Sequence, residues 1–120
     1  MRVAVPSDGG FEGKAVPFDA SDGIAIAEVR PDGVREIKVI KPGDNVAEEL
    51  KREGVELVLT PEIPDELALK FAKLGIRVLT GVSGKVKDVM MLALKGTVKR
   101  AFKAGLDMAK MGKDVMTRKL

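Results

Sequence analysis

The sequence predicts a small mixed α/β domain within a chain of 120 residues. Apolar residues make up 45% of the chain and charged residues 32%, a composition that supports a hydrophobic core and a solvated surface. In the second half of the chain, short runs rich in valine, isoleucine and leucine alternate with amphipathic segments of helical period. A glycine follows each of those segments, as is common where a helix ends. Together these observations indicate one α/β domain.

Three strand-like segments come first. Residues 3–6 form the first strand, and the turn-forming residues 7–10 (Ser-Asp-Gly-Gly) end it. A loop over residues 11–23 leads to a second strand at residues 24–30. A Pro-Asp-Gly turn then joins it to a third strand at residues 34–40. We therefore expect an antiparallel meander of three strands.

Helices and strands then alternate. Asn45 followed three residues later by Glu48 is the pattern of a capping box, and the helix that follows stops at Gly54. Residues 55–60 form the fourth strand, and Pro64 with two acidic residues after it is a typical helix start.

The second helix stops at Gly75, and residues 76–80 form the fifth strand. The inward face of a third helix, which ends at Gly96, is formed by Val86, Val89, Met90, Ala93 and Leu94.

Residues 50–55 and 71–76 share one plan, in which a helix ends in glycine and enters an apolar strand. That plan is typical of βαβ units, with parallel strands and right-handed crossovers. The order β-β-β-α-β-α-β-α predicts a five-stranded mixed sheet flanked by helices, with the first strand at its centre. This is the strand order of a ribonuclease-H-like sheet.

Residues 97–120 predict one further helix and hold most of the positive charge. They contain seven basic and two acidic residues, a net charge of +5, whereas the first 96 residues sum to −2. We therefore divide the chain into a domain over residues 1–96 and a basic, amphipathic C-terminal helical extension over residues 97–120.

The residue types that are missing exclude several kinds of chemistry. The chain contains no cysteine and no histidine, which excludes disulfides, thiolate ligands, cysteine nucleophiles and Ser/His/Asp triads. A two-metal nuclease needs carboxylates on its first strand and the neighbouring strands. Residues 3–5 offer none, and the fourth strand offers only Glu56. We therefore predict a protein that is not an enzyme and has no dedicated metal site.

The sequence also gives an expectation for the compartment and the source of the protein. No apolar run is long enough for a membrane span, and the N-terminus enters a strand-like segment without the pattern of a signal peptide. We expect a cytoplasmic protein. Glutamine is absent and Asn45 is the only asparagine, while Lys, Arg and Glu are abundant, which fits a thermophilic source.

The loops after the first, fourth and fifth strands are expected at one edge of the sheet, where open α/β sheets bind ligands. In the third of these loops, glycines, a serine and a lysine precede a helix, so they could present N–H groups and a cation to an anion. The alternative is a tight strand-to-helix turn. The candidate binding residues in these loops are Ser7, Asp8, Thr60, Gly81, Ser83, Gly84 and Lys85.

Carboxylates in the same region offer a second interpretation. A hard cation prefers such oxygen ligands, although acidic residues in loops are more often turn formers. The four carboxylates are Asp8, Asp19, Asp22 and Glu62.

Several short motifs carry a family resemblance that extends over residues 1–96. They are Met1-Arg2-Val3-Ala4-Val5-Pro6 with Asp8-Gly9, residues 14–18, residues 54–59, residues 72–78 and residues 80–86. In this combination the chain resembles the dinitrogenase iron–molybdenum cofactor biosynthesis family, the small cluster-carrier domains of nitrogenase assembly. The resemblance implies a ribonuclease-H-like fold and a non-catalytic protein that binds an iron–sulfur or iron–molybdenum–sulfur cluster.

One family motif is altered. Family members commonly carry His-Phe-Gly-Arg before the second strand. Here Phe18 is kept, Pro17 takes the histidine place, and Asp19 and Ala20 take the Gly-Arg places. The resemblance therefore implies that Phe18 and Asp19 belong to the cofactor site. This chain has no cysteine or histidine, so neither residue type can bind a cluster here.

The sequence is compatible with three functions. The first is a carrier or accessory protein of cluster assembly, with a cluster donor or acceptor protein as partner and an anionic cluster held by residues 81–85 and the neighbouring loops. The second is a protein–protein interaction module that uses residues 97–120, which could also join two copies of the chain. The third, nucleic-acid binding by the basic tail, is less favoured, because Phe102 is the tail's only aromatic residue.

Methionine is a soft metal ligand that could assist in holding a cluster, but helix-like spacing favours packing instead. The methionines so spaced are Met90, Met91, Met108, Met111 and Met116.

Overall fold

A computed structural model describes residues 1–95, so the predicted helix over residues 97–120 and its proposed contacts lie outside the described residues. In chain order the strands and helices are β1 (Arg2–Asp8), β2 (Lys14–Ala15), β3 (Gly23–Arg30), β4 (Gly33–Ile40), α1 (Val46–Arg52), β5 (Leu57–Leu59), α2 (Asp65–Lys73), β6 (Arg77–Leu79) and α3 (Val86–Met91). Single turns of 3₁₀ helix lie at Gly10–Glu12, Phe18–Ala20 and Leu92–Leu94.

The strands form one mixed sheet in the order β4-β3-β1-β5-β6, with β2 paired to the end of β1. β1 runs antiparallel to β3 and parallel to β5, and β5 runs parallel to β6. The predicted central position of the first strand is therefore confirmed.

The prediction of five strands is wrong, since residues 1–95 contain six. The additional strand, β2, lies in the segment that we predicted as a loop. It forms because Ser7 and Asp8, which we assigned to a turn, continue β1 and pair with Ala15 and Lys14. A strand of two residues has no periodicity that a sequence pattern could show.

Helices cover both faces of the sheet. The side chains of Val3 and Val5 pack on the face that α3 covers, with Val86, Val89 and Met90 of that helix. Side chains alternate along a strand, so Ala4 faces the opposite side, where α1 and α2 pack. The sheet is thus buried between two helical layers, and its loops at either end are left to the surface.

α1 and α2 end in the same way. The amide of Gly54 donates to the carbonyl of Lys51 (3.0 Å), and the amide of Val55 donates to that of Leu50 (3.0 Å). These two hydrogen bonds define a Schellman motif, and Gly54 has the positive φ (78°) that the motif requires. Gly75 and the residues around it repeat the motif at the end of α2. The repeated helix–glycine–strand plan is therefore confirmed.

Some predicted boundaries differ. Asn45 precedes α1 but makes no side-chain capping hydrogen bond, so the predicted capping box with Glu48 is not formed. The Asn45 carbonyl instead accepts the Glu49 amide (3.0 Å). β5 is shorter than predicted because the amide of Val55 is used to close α1. No helix within residues 1–95 is both long and apolar enough to cross a membrane.

Candidate functional site

The loops after β1, β5 and β6 meet at one edge of the sheet, as predicted, and backbone hydrogen bonds join them. The amide of Ala15 donates to the carbonyl of Gly84 (2.9 Å). The amide of Val86, the first residue of α3, donates to the carbonyl of Gly13 (3.1 Å). The β1–β2 hairpin is therefore attached to the loop that precedes α3.

The β5–α2 loop is attached in the same manner. The amide of Phe18 donates to the carbonyl of Glu62 (2.9 Å), and the amide of Gly81 donates to the carbonyl of Pro61 (3.1 Å). Since these bonds link segments that are far apart in sequence, the edge is one connected surface. We call it the loop edge, defined by residues 7–22, 60–64 and 80–85.

Two lysines lie opposite each other at the loop edge. Lys14 and Lys85 are Cα partners in an isolated antiparallel bridge. Both side chains are exposed, and within residues 1–95 neither forms an ion pair. Directly opposite residues of antiparallel strands lie close together, so the two lysine side chains leave the backbone side by side. This pair is the main cationic feature of the loop edge.

Two predicted site residues have buried hydroxyls with internal partners. The Ser7 hydroxyl donates to the Gly10 carbonyl (2.7 Å), and the Thr60 hydroxyl donates to the Glu62 carbonyl (2.8 Å). Both residues are fully buried. Their side chains shape the turns that follow β1 and β5 from beneath the surface.

Phe18 is also buried, with 3% of its surface exposed. Its ring packs edge-on against Phe71 of α2, with a centroid distance of 5.8 Å. The aromatic ring therefore anchors the β2–β3 segment to the core on the α1–α2 side of the sheet.

The other predicted site residues are on the surface. Exposed residues of the set are Asp8, Asp19, Gly81, Ser83, Gly84 and Lys85. Gly81 and Gly84 have positive φ angles of 79° and 118°, which favour glycine. The turn before α3 is therefore built on glycine conformations.

An anion and a metal cation are the two kinds of ligand considered for the loop edge, and different side chains would bind each. α3 is only six residues long, and the amide of Val86 already donates its hydrogen bond to the carbonyl of Gly13. The N-terminus of α3 therefore has few free N–H groups for an anion. The ammonium groups of Lys14 and Lys85 remain accessible. For a cation, residues 1–95 contain no group of three or more Asp, Glu, His or Cys side chains that could hold a metal ion.

Sequence reasoning missed Gly13 and Lys14 as site residues. A side chain at position 13 would overlap the carbonyl oxygen of Asp8, so the hairpin needs glycine there. Gly13 and Lys14 come five and six residues after the end of β1, and nothing in the local sequence indicates that they meet Val86 and Lys85.

The sheet with helices on both faces, and the loop edge at one end of it, define a small, three-layered α/β domain. The family model for the dinitrogenase iron–molybdenum cofactor matches residues 1–96, and the chain belongs to this family. No curated protein matches the chain.

Solved structures with the same fold include the crystal structure of PH0822, which is 30% identical, with a TM-score of 0.67 over 77% of this chain and 88% of PH0822. The NMR structure of TM1290 from Thermotoga, provisionally named a NifB protein of the DUF35 family, is 20% identical, with a TM-score of 0.60, over 79% of this chain and 88% of that one. The crystal structure of MJ0327 from Methanocaldococcus jannaschii, provisionally named a dinitrogenase, is 22% identical, with a TM-score of 0.61, over 77% of this chain and 86% of that one.

Proposed function

We propose that this protein is a non-catalytic carrier or accessory protein in the assembly of iron–sulfur or iron–molybdenum clusters, and that the cluster is its cargo. Membership of the cofactor family over residues 1–96 is the observation that carries the proposal. The proposal includes a ribonuclease-H-like fold and a cytoplasmic location. A cluster donor or acceptor protein is the partner that this role requires.

The donor set decides how a cargo can be held. Iron in clusters is usually bound by thiolates or imidazoles, and this chain has neither cysteine nor histidine. Direct ligation of the usual kind therefore does not fit these residues. An anionic cluster would instead be held by charge and by hydrogen bonds at the loop edge.

Lys14 and Lys85 are the strongest support for that mode of binding. Lysines in directly opposite positions repel each other, and an anion placed between their side chains relieves the repulsion. Asp8 is opposite Lys14 on β1, but its carboxylate accepts the Lys14 amide (3.5 Å) and forms no ion pair with the ammonium group. Ser83 and the glycines of the same loop add a hydroxyl and an exposed backbone. Asp8 and Asp19 supply the carboxylate oxygens that remain for a metal atom of the cargo.

In this proposal the three buried residues of the set do not touch the cargo. Ser7, Phe18 and Thr60 hold the shape of the loops that do, through the contacts described above.

A carrier and an enzyme differ in what happens to the cluster. Untagged full-length protein is loaded anaerobically with an isolated iron–sulfur or iron–molybdenum cluster, desalted at low ionic strength, and then brought to high salt, which screens the exposed charges and releases an electrostatically held cluster. A carrier releases a cluster whose iron-to-sulfide ratio and absorption spectrum match the starting material. A changed ratio after passage through the protein, absent from a protein-free control, would contradict the carrier proposal.

A further inference from the structure

A row of charged residues crosses the sheet at the end opposite the loop edge. Arg2 of β1 is directly opposite Glu28 of β3, and Glu28 is directly opposite Arg35 of β4. Directly opposite residues on neighbouring strands project from the same face of a sheet. Arg30, two residues after Glu28 on the same strand, shares that face. Three guanidinium groups and one carboxylate are therefore brought together, one from β1 and the others from the β3–β4 hairpin.

The carboxylate of Glu28 does not pair with Arg35, although the two residues are opposite. It accepts a hydrogen bond from the N-terminal ammonium group of Met1 (2.8 Å), and it forms an ion pair with Nε of Arg2 (3.4 Å). Within residues 1–95, Arg30 and Arg35 form no ion pair with any carboxylate. Two guanidinium groups are thus left with their charge uncompensated.

These residues line an open groove of about 380 Å³, whose walls are Arg2, Glu28, Arg30, Arg35, Glu36 and Ile37. The second carboxylate of the groove, Glu36, forms an ion pair with Lys87 of α3 (2.9 Å). Both carboxylates of the groove therefore already have cationic partners, Glu28 in Met1 and Arg2, and Glu36 in Lys87. The net effect is a groove with a surplus of positive charge.

Ile37 gives the groove an apolar wall. The pairing of β3 with β4 shifts here, because Ile26 is opposite Lys38 while Ala27 is opposite Glu36, so Ile37 is the extra residue of a β-bulge. Its side chain is 36% exposed, one of three large apolar residues in the described chain with that much exposure. The bulge places an apolar surface beside the guanidinium groups.

We propose that this groove binds a small molecule that carries an oxyanion group, a phosphate ester or a carboxylate, next to an apolar part. The planar guanidinium forks of Arg30 and Arg35 match the oxygens of such groups, and each can donate two parallel hydrogen bonds. Ile37 contacts the apolar part. The site lies at the opposite end of the sheet from the loop edge and does not depend on the function proposed for that edge.

The test is a titration of nitrogen-15-labelled, untagged full-length protein, followed by backbone amide shifts in NMR spectra. The probes are inorganic phosphate, phenyl phosphate and benzoate, at low ionic strength because salt screens exposed charges. The proposal expects saturable shifts for amides of residues 28–37 and tighter binding of phenyl phosphate than of inorganic phosphate. If phenyl phosphate binds more tightly than benzoate, the ligand class is a phosphate ester, and the reverse order assigns a carboxylate.

Two double variants complete the experiment. Arg30→Gln with Arg35→Gln should weaken binding by about tenfold or more, since two charged hydrogen-bond donors are lost. Lys70→Gln with Lys73→Gln removes the same number of charges from the exposed surface of α2 and should change binding by no more than about twofold. Absence of saturable shifts with all three probes would overturn the proposal, as would equal affinity of the wild type and the arginine variant. Equal binding of inorganic and phenyl phosphate would overturn the role of Ile37.

Discussion

Lys14 and Lys85 face each other across a single antiparallel bridge that joins β2 to the loop before α3. The bridge is flanked by hydrogen bonds from Ala15 to Gly84 and from Val86 to Gly13, so the backbone holds the two lysines in directly opposite positions. Like charges in directly opposite positions destabilise a sheet. A bound anion would relieve this repulsion, and anion binding is the role that we propose for the pair.

Replacing one lysine of the pair should stabilise the protein. Lys85→Glu converts a repulsive pair into an attractive one, and we expect the free energy of unfolding to rise by about 0.2–1 kcal/mol in low salt. Lys85→Gln removes the repulsion without adding an attraction and should give an intermediate value. Urea denaturation measures the free energy of unfolding of the wild type and of both variants. A loss of stability in Lys85→Glu would show that the lysines do not repel each other in the folded state.

The β1–β2 hairpin leaves no room for a side chain at Gly13. A methyl group at this position would overlap the carbonyl oxygen of Asp8, whereas at Gly43 it would meet no atom within 4 Å. We expect Gly13→Ala to lower the free energy of unfolding by about 1–3 kcal/mol, because backbone must move to accommodate it. Gly43→Ala is the matched control, and it should be neutral or stabilising by up to about 1 kcal/mol. Equal thermal stability of the two variants would refute the overlap.

Phe18 should act through packing. Its ring is buried against Phe71, so we expect Phe18→Ala to cost about 3–5 kcal/mol in denaturation experiments. Phe18→Leu keeps most of the apolar volume and should cost only about 1–2 kcal/mol. If the ring does not touch the cargo, the leucine variant also loads with cluster as the wild type does. A leucine variant that is stable but does not load would instead place Phe18 in contact with the cargo.

The stability of the protein should fall on the acid side partly because of Glu28. The hydrogen bond from the N-terminal ammonium group, together with the nearby charge of Arg2, lowers the pKa of Glu28 despite some desolvation. A carboxyl group with a lowered pKa in the folded state contributes stability above its unfolded pKa, about 4.3, and loses it as the pH falls through the lower folded pKa. Urea midpoints measured from pH 6 downward should therefore decrease more steeply for the wild type than for Glu28→Gln.

Acetylation of the N-terminal amine provides an independent control, since it removes the main cause of the lowered pKa. The acetylated chain should follow the shallower acid dependence of Glu28→Gln. If the wild type and both altered proteins lose stability in parallel, the ion pair of Glu28 with Met1 does not contribute in solution.

Local signals explain what could be predicted from the sequence. The glycines at positions 54 and 75 end helices because the Schellman motif needs a positive φ, and that need is visible in the sequence alone. The apolar strand that follows each of these glycines indicates the βαβ order. The loop edge was also predictable as a place, because strand ends at the same edge follow from topology.

Long-range register explains what could not be predicted. β2 exists only because Ser7 and Asp8 pair with it, and no period marks a strand of two residues. The pairing of Lys14 with Lys85, like the row of Arg2, Glu28 and Arg35, depends on which residues become opposite once the sheet has formed. The spacing of these residues along the chain does not indicate that they are in contact.

The most direct test of the central claim is the amount of cluster bound per chain. Untagged full-length protein is incubated anaerobically with an iron–sulfur or iron–molybdenum cluster source, desalted, and analysed for iron, molybdenum and sulfide together with its absorption spectrum. A histidine tag is avoided because it would add the ligand that this chain lacks. We predict a fixed stoichiometry of bound cluster in the wild type and its loss in the Lys14→Gln, Lys85→Gln double variant. A colourless, metal-free wild type after incubation would contradict the carrier function, and equal loading of the double variant would contradict binding by the lysine pair.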